Sequence, residues 1–307
     1  MDENKTYTDP LVSVIIPSYN HAAYIEESIM SVVNQTYKNI ELIVIDDGSK
    51  DNSREILEKL QKQYNFTLVF QENQGISKTL NKALREYAHG KYIDGAGSDD
   101  FLAIDKIEKQ VKFLENHPEY AMVFGKVYMV DEQSRIIENF QIIDPVVDPE
   151  KSVKFEALIE RDCIPSVTVM IRKTILDEFG GYNENTIVED LDMWLNVAFY
   201  YKIAYLDEYF AYYRWHKQNM TTFTLKMCYA VWNVVQNWKD KMDPALSKKV
   251  IARRCSIIFN ILARQHKKES FKFLKLNHPY WDFFMLKNYL KGLYKLFFCW
   301  ENTTEWK

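Results

Sequence analysis

Two adjacent carboxylates, Asp99 and Asp100, follow the short apolar stretch Tyr92-Ile93, where a strand should give way to a loop. Hard divalent cations such as Mg²⁺ and Mn²⁺ take oxygen ligands. In nucleotide chemistry they commonly bind one or two carboxylates together with phosphate oxygens. The alternative is a solvated turn that caps a helix beginning near Ile104. The other strand ends of the chain distinguish these two interpretations.

The composition allows a large folded core and argues against a nucleic-acid partner. The chain has 307 residues, is 47% hydrophobic and carries a net charge of −4. Its charge is uneven, because residues 248–300 hold twelve lysines and arginines against Glu269 and Asp282, a net +10. A basic segment on an acidic body favours an anionic partner surface.

The cysteines and the N-terminus point to a reduced, cytoplasmic setting. The four cysteines are scattered with no CxxC pair, so neither a zinc site nor a disulfide framework is indicated. Residues 1–10 are polar and lack a signal-peptide apolar region. No run reaches the roughly 18 apolar residues of a spanning helix. We therefore expect a cytoplasmic protein.

Apolar runs at 11–16, 40–45 and 66–70 alternate with amphipathic helical patterns at roughly 25-residue intervals. This alternation predicts right-handed βαβ units and a doubly wound parallel sheet. In such sheets, ligands bind beyond the carboxyl ends of the strands.

Polar clusters follow all four predicted strands of this first half. They are Pro17-Ser18-Tyr19, Asp46-Asp47, Gln74-Gly75 and Asp99-Asp100. We expect these clusters to line one rim, which favours a ligand site over a solvated turn. The segment 95–100 begins like GxGxxG but ends in Asp, and no GxxxxGK[ST] occurs. A metal is therefore the expected means of neutralising a diphosphate.

The pattern changes after about residue 119. Strands are expected at Tyr120–Val130, Val167–Ile171, Ile203–Leu206 and Phe210–Arg214, and a helix at about Asp190–Tyr200. We expect this half to cover the side of the site where a second substrate, the acceptor, binds.

From Leu225 onward the chain reads as helical. Near its end, Lys287, Lys291 and Lys295 are spaced four apart among aromatic residues. This arrangement suits an interfacial helix on an anionic membrane. The alternative is a helix packed on the body of the protein with its lysines in solvent.

The ordered motifs VSVIIPSYN, VIDDGS, NQG, SDD, EDLDMW and YRWH resemble those of the family-2 glycosyltransferases. The resemblance covers about Val12–Thr222. It implies a GT-A-type α/β fold, with a doubly wound mixed sheet and flanking helices, plus a helical C-terminal extension. It also implies an inverting transferase that moves a sugar from a nucleotide diphosphate to a hydroxyl.

The resemblance assigns roles on the donor side of the site. Pro17 and Tyr19 match positions near the base and ribose, Asp47 matches the acceptor of the uracil imide N–H, and Gly75 belongs to the same nucleotide rim. A carboxylate can select uracil by a charge-assisted hydrogen bond. The alternative for Asp47 is a turn and N-cap residue.

The acidic motif departs from the family pattern, which usually reads Asp-x-Asp. Its first position here is Gly97, so Ser98 or a water is expected to supply the ribose contact. Asp99 matches the metal-binding carboxylate, and Asp100 is a second metal candidate. His216 of YRWH resembles a family histidine near the metal or diphosphate.

Asp190 matches the catalytic base of the family. The chemistry requires a carboxylate near the acceptor hydroxyl, on the face opposite the leaving diphosphate. Glu189 and Asp192 are less suited, because the helix turns Asp192 away from Asp190. The alternative for Asp190 is a helix N-terminal residue stabilised by the helix dipole. Arg214 is a weaker phosphate candidate.

These observations lead to one principal hypothesis and two alternatives. We expect a Mg²⁺- or Mn²⁺-dependent transferase that uses a UDP-sugar and acts on a glycan or lipid-linked saccharide, peripherally at the cytoplasmic face of the inner membrane. The transferase domain is expected over residues 1–222, with a donor half at about 11–118 and an acceptor half at about 119–222, and a helical region over 223–307. The alternatives are a non-catalytic nucleotide-binding scaffold of a glycan-assembly complex and a nucleotidyltransferase. The second lacks a basic, Gly-rich triphosphate loop.

Overall fold

The structure is a computed structural model that describes residues 9–138, 152–216, 219, 224–265, 267–275 and 283–298. These residues form two compact units. The first unit holds the described residues up to Leu158 and from Cys163 to His216. The second holds Ile159–Asp162 and the described residues after His216. The predicted boundary between residues 222 and 223 lies outside the described residues and stays a prediction.

The first unit is built on one mixed sheet of eight strands. In chain order the strands are β1 Val12–Ser18, β2 Ile40–Asp46, β3 Thr67–Phe70, β4 Tyr92–Gly95, β5 Phe101–Leu102, β6 Tyr120–Val130, β7 Met170–Arg172 and β8 Lys202–Arg214. Across the sheet their order is β3-β2-β1-β4-β7-β6-β8-β5. Strands β1 to β4 pair in parallel, and β7 pairs antiparallel with both β4 and β6. The predicted mixed α/β sheet is confirmed.

Seven helices of the described chain precede His216. They are α1 Ile25–Val33, α2 Ser53–Tyr64, α3 Ile76–Glu86, α4 Lys106–Asn116, α5 Phe155–Glu160, α6 Lys173–Glu178 and α7 Glu189–Tyr200. Alternate residues of β1 point to one face of the sheet and contribute to the core between the sheet and the helices on that face. Val14 of β1 packs in a buried cluster with Ile29 of α1 and Val111 of α4. Burying these β-branched side chains between sheet and helices stabilises the unit.

The register of the parallel strands aligns their carboxyl ends. Ser18 lies beside Asp46, and Asp46 lies beside Phe70. The backbone N–H of Asp47 donates to the Ser18 carbonyl at 2.8 Å, and the N–H of Gln71 donates to the Asp46 carbonyl at 3.0 Å. The loops that follow β1, β2 and β3 therefore leave the sheet at one edge.

Three details differ from the sequence prediction. Residues Ser166–Thr168 form a 3₁₀ turn, so β7 begins only at Met170. The two strands predicted between residues 203 and 214 are one strand, β8. Its polar middle stays within the strand because the pairing with β6 is irregular there. The short strand β5 was not predicted, and it pairs with β8.

A buried ion pair lies within the first unit. The side chains of Asp94 and Lys106 are both fully buried, and the Lys106 ammonium group contacts the Asp94 carboxylate. Burial raises the pKa of Asp94 and lowers the pKa of Lys106, while each charge favours the ionised form of the other.

The second unit is helical, as predicted. Its helices are α8 Thr224–Trp238, α9 Pro244–Gln265, α10 Lys267–Lys275 and α11 Phe283–Phe298. Phe259 of α9 and Tyr289 of α11 share its buried apolar cluster. Among the described residues, no helix is both long and apolar enough to cross a membrane.

Candidate active site

The carboxylate of Asp47 organises the loop between β3 and α3. Its Oδ1 accepts hydrogen bonds from the backbone N–H of Gln74 and the side-chain amide of Gln71, both at 2.8 Å. Its Oδ2 accepts from the N–H of Gly75 at 2.9 Å. Gly75 has a φ of 88°, which favours glycine. A carboxylate offers about four acceptor positions, so Asp47 retains room for one outside donor.

The other predicted nucleotide-binding residues of the rim belong to β1 and the loop that follows it. Pro17 lines a cavity described below. Tyr19 is 44% exposed, which leaves its ring free to contact a ligand. The contacts of Pro17, Tyr19, Asp47 and Gly75 with a nucleotide stay predictions.

Three side chains from distant parts of the chain meet at the same edge of the sheet. They are His21 after β1, Asp99 after β4 and His216 after β8. Asp99 Oδ2 lies 2.9 Å from His216 Nε2 and 3.9 Å from His21 Nε2. One ligand atom from each of the three residues lies within 4.8 Å of the others. Two imidazoles and a carboxylate at this spacing are able to hold one metal ion.

The electrostatics of this cluster favour an ionised Asp99. Burial opposes ionisation of Asp99, but the hydrogen bond with His216 and the neighbouring histidine charges outweigh it and lower the pKa of the carboxyl. Burial also lowers the pKa of His21, against the opposing effect of Asp99. A neutral imidazole and a carboxylate are the protonation states that bind metals.

Asp100 faces a different partner. Its Oδ1 accepts the backbone N–H of Arg214 at 2.8 Å, and the residue is buried. Burial, and then the charge of Asp99, raise the pKa of Asp100 well above its usual range. Asp100 is not part of the three-residue cluster. Its predicted role as a second metal ligand stays a prediction.

Arg214 is a buried clamp rather than an open phosphate site. Its side chain is 1% exposed, and its Nε donates to the Asp99 carbonyl at 2.8 Å. Its two terminal nitrogens donate to Glu27 and to Ser134, at 2.5 and 3.0 Å. The guanidinium also lies over the ring of Tyr24, 4.7 Å from its centroid. Arg214 therefore fixes the acidic loop to β8 and α1.

Gly97 allows the two carboxylates to approach the loop backbone. A Cβ atom at this position would lie 2.7 Å from Asp100 Oδ2 and 3.0 Å from Asp99 Oδ1. The Gly97 carbonyl accepts a hydrogen bond from the Ser28 hydroxyl at 2.8 Å, which holds the backbone in place. A side chain at position 97 would therefore displace at least one of these two carboxylates.

A cavity of about 120 Å³ brings the acidic loop and α7 together. Gly97 and Asp100 contribute to its wall from the loop, and Glu189, Asp190 and Trp194 contribute from α7. Asp190 is half-buried, and its Oδ1 accepts the N–H of Leu191 at 2.7 Å. The predicted base and the predicted metal loop therefore border the same cavity.

Two buried polar atoms of α7 lack a hydrogen-bond partner within the described chain. They are Glu189 Oε2 and Trp194 Nε1. Burial raises the pKa of Glu189. Because both residues line the cavity, a bound polar molecule would give both atoms a hydrogen-bond partner there. The sequence alone favours Asp190 over Glu189 as the base.

Sequence reasoning missed His21. The expectation that ligands bind beyond the carboxyl ends of the strands could have found it, because His21 follows β1 just as Asp47 follows β2. Ser98 also contacts a protein side chain, and its predicted contact with ribose stays a prediction. Its Oγ lies 2.7 Å from His21 Nδ1.

Residues 13–180 match the family model described as Glycosyl transferase family 2. The chain belongs to this family. The match covers more than half of the chain and includes the rim of β1, β2 and β4, but it ends before α7 and His216. The family-2 resemblance of the sequence motifs is confirmed.

Relatives of the chain come from several bacteria. A putative teichuronic acid biosynthesis glycosyltransferase, TuaG, of Bacillus subtilis is 31% identical over 230 residues, which cover 74% of this chain and 81% of TuaG. The Escherichia coli UDP-Glc:alpha-D-GlcNAc-diphosphoundecaprenol beta-1,3-glucosyltransferase WfgD is 33% identical over 190 residues, 62% of this chain and 70% of WfgD. An uncharacterised Haemophilus influenzae glycosyltransferase is 38% identical over 167 residues, 53% of this chain and 63% of that protein.

The fold is also found in a solved structure. Residues 1–349 of S. aureus TarS, solved in complex with UDP-GlcNAc, superimpose with a TM-score of 0.61 and 20% identity. The alignment covers 93% of this chain and 80% of the TarS chain. The predicted GT-A-type fold is confirmed.

Proposed function

We propose that this glycosyltransferase inverts the anomeric centre of a UDP-sugar as it transfers the sugar to a hydroxyl of a glycan or lipid-linked saccharide. The observation that carries the proposal is the cavity shared by Asp190 and the acidic loop. The related enzyme WfgD supports the donor and acceptor classes, because its name specifies UDP-Glc and a diphosphoundecaprenol-linked acceptor.

Asp190 is the proposed general base. Its carboxylate takes the proton from the acceptor hydroxyl as that oxygen forms a bond to C1 of the sugar. The bond from C1 to the diphosphate oxygen breaks on the opposite face, and the electron pair leaves with UDP. Attack opposite the leaving group inverts the anomeric centre, through an oxocarbenium-like transition state.

Glu189 has a different proposed role. The raised pKa of its buried carboxyl favours the protonated form, which is a poor base and a hydrogen-bond donor. Together with Trp194 it would orient a sugar hydroxyl in the cavity. The half-buried Asp190 is better suited to accept a proton.

The cluster at Asp99 fits a divalent cation, because its donor atoms are a carboxylate and imidazole nitrogens within 4.8 Å of each other. Asp99 and His216 would hold this cation. When bound, a divalent cation offsets negative charge on the leaving diphosphate. The chain positions Asp99 through Arg214, which binds its carbonyl.

The nucleotide is proposed to lie along the rim of β1 to β3. Asp47 would accept the uracil N–H with its remaining acceptor position. Pro17, Tyr19 and Gly75 would border the base and ribose. Ser98 is the proposed ribose neighbour from the acidic loop, although its hydroxyl already contacts His21.

A screen of UDP-sugars tests the proposed function. The purified protein is incubated with each donor and Mn²⁺ or Mg²⁺, with and without bacterial lipid extract, and released UDP is measured. We expect metal-dependent UDP release with at least one donor, increased by the extract. UDP binding without consumption of any donor would instead favour the non-catalytic scaffold.

We also propose that helix α11 docks this transferase on an anionic membrane, at the cytoplasmic face where UDP-sugars are available. Its outer face exposes Phe283, Leu290 and Tyr294 by 80, 57 and 61%. Lys287 and Lys291 are exposed beside them and have no acidic partner among the described residues. Lys295, the third predicted lysine of the stripe, contacts the Asn260 carbonyl instead.

Charge favours a bilayer over a second copy of the chain as the occupant of this face. Residues 248–300 carry a net +10, and two copies would repel each other. Apolar and aromatic side chains flanked by lysines suit the boundary between headgroups and acyl chains of anionic lipids.

Vesicle sedimentation tests the α11 face. We expect binding to phosphatidylglycerol vesicles and weak binding to phosphatidylcholine vesicles. Lys287→Glu with Lys291→Glu should weaken binding at least about tenfold, because each lysine near an anionic surface contributes on the order of 1 kcal/mol. The matched control is Lys59→Glu with Lys62→Glu on α2, where both lysines are exposed. Equal binding by both double variants, or a dimer that only the α11 variant disrupts, would contradict membrane docking.

A further inference from the structure

We propose that His21 is a third protein ligand of the metal, and that the site consequently prefers first-row transition metals to Mg²⁺. This inference rests on the proposed function, since it assigns a ligand to the cation of that same site. The donor set becomes two imidazoles, from His21 and His216, and one carboxylate, from Asp99. Such a set leaves open positions for diphosphate oxygens.

The position of His21 carries the first step. Its Nε2 lies 3.9 Å from the same Asp99 oxygen that His216 contacts. The two imidazole rings meet edge to face, with centroids 5.6 Å apart and an interplanar angle of 84°. The ligand atoms of all three residues lie within 4.8 Å of one another, so one ion is able to contact all three.

The hydrogen bond of His21 carries the second step. His21 Nδ1 lies 2.7 Å from Ser98 Oγ, and Ser98 is 4% exposed. When Nδ1–H donates to this hydroxyl, the lone pair of Nε2 points to the cluster. Metal-binding histidines almost always donate their other ring N–H in this way, which fixes the tautomer and the ring orientation. Ser98 is thus a positioning residue for His21.

The chemistry of the donor set carries the third step. Mg²⁺ prefers oxygen ligands, whereas imidazole suits transition metals, whose affinity rises from Mn²⁺ through Co²⁺. Only one member of the cluster, Asp99, supplies oxygen. Asp100 is not a member of the cluster, and its Oδ1 accepts the backbone N–H of Arg214. The metal preference therefore follows from the two histidines.

Calorimetry with Mn²⁺, Co²⁺ and Mg²⁺, on the full chain saturated with UDP, tests the inference. We expect Co²⁺ and Mn²⁺ to bind more tightly than Mg²⁺. His21→Ala should weaken Mn²⁺ and Co²⁺ binding at least about tenfold and Mg²⁺ binding much less. His21→Gln provides a second variant, because its amide can still donate to Ser98. His89→Ala is the control, since His89 is an exposed histidine that contacts Glu41.

Electron spin-echo spectroscopy of bound Mn²⁺ gives a readout independent of turnover. The unaltered protein should show two coupled imidazole nitrogens, and both His21 variants should show one. Unchanged nitrogen coupling and unchanged metal affinity in both variants would overturn the assignment of His21. Failure of the proposed function looks different: the two-nitrogen signal would persist while no UDP-sugar is consumed.

Discussion

The lack of a side chain at Gly97 allows the carboxylates of Asp99 and Asp100 to lie close to the backbone of the acidic loop. A methyl group there would contact both Asp100 and Asp99, and the Asp100 carboxylate is held by the Arg214 N–H. We therefore expect Gly97→Ala to lower the free energy of unfolding by about 1–3 kcal/mol, the usual cost of overpacking. It should also weaken Mn²⁺ binding.

Urea unfolding and metal calorimetry measure both effects. Gly95→Ala is the matched control, because a Cβ at Gly95 meets no atom within 4 Å. Equal stability and equal Mn²⁺ affinity of the two variants would refute the steric account of Gly97.

The buried carboxyl of Glu189 predicts a pH dependence of stability. Burial raises its pKa in the folded state, so at pH below its unfolded pKa the carboxyl is protonated in both states and adds no pH-dependent cost to folding. As pH rises from the unfolded pKa through the folded pKa, the folded state loses stability, because the unfolded chain ionises freely while the buried carboxyl resists ionisation. Glu189→Gln removes this loss, so its stability relative to the unaltered protein should be greater at pH 7 than at pH 4. Urea unfolding at the two pH values measures the difference, and a pH-independent difference would contradict a buried, protonated Glu189.

At the scale of elements, the loop from β3 to α3 depends on the charge of Asp47. Asp47→Asn places a donor where Gln74 and Gly75 present N–H groups, and therefore loosens the loop. We expect weaker UDP binding, by about tenfold for a lost charge-assisted pair, and faster amide exchange over residues 71–75. Calorimetry with UDP and hydrogen-exchange mass spectrometry measure these changes.

The control for this loop is Glu72→Gln, which alters an exposed acid in the same segment. It should leave UDP binding and amide exchange nearly unchanged. If Asp47→Asn behaves like this control, Asp47 does not organise the loop.

Element-level prediction from the sequence succeeded where periodicity and topology are strong. The β-branched runs of β1 and β2 fixed the parallel sheet, and the sheet rule gathered the polar strand ends at one edge. It failed for β8, because Asp207 and Glu208 are too polar to predict a strand. Irregularities in the pairing with β6 allow one strand to continue through these two residues. It also failed for Lys295. Because an α-helix has 3.6 residues per turn, each lysine in a four-residue spacing lies about 40° further around the helix, and Lys295 therefore turns toward the body of the unit.

At the scale of the whole molecule, the missed features are contacts between residues far apart in sequence. His21 and His216 meet only because β1 and β8 end at the same edge of the sheet. The buried Asp94–Lys106 pair joins β4 to α4, and nothing in a short apolar strand predicts it. The burial of such an ion pair depends on tertiary packing, which local sequence patterns do not reveal.

The central claim concerns the whole catalytic cycle and is tested most directly by Asp190→Asn. Sugar transfer by this variant is measured with the donor found in the screen, and UDP affinity is measured by calorimetry. Asp192→Asn is the control, because the Asp192 carboxylate accepts from Asn183 and does not line the cavity. We predict a loss of transfer of about 10²- to 10⁴-fold with nearly unchanged UDP affinity. Transfer by Asp190→Asn at the rate of the unaltered protein would contradict the account.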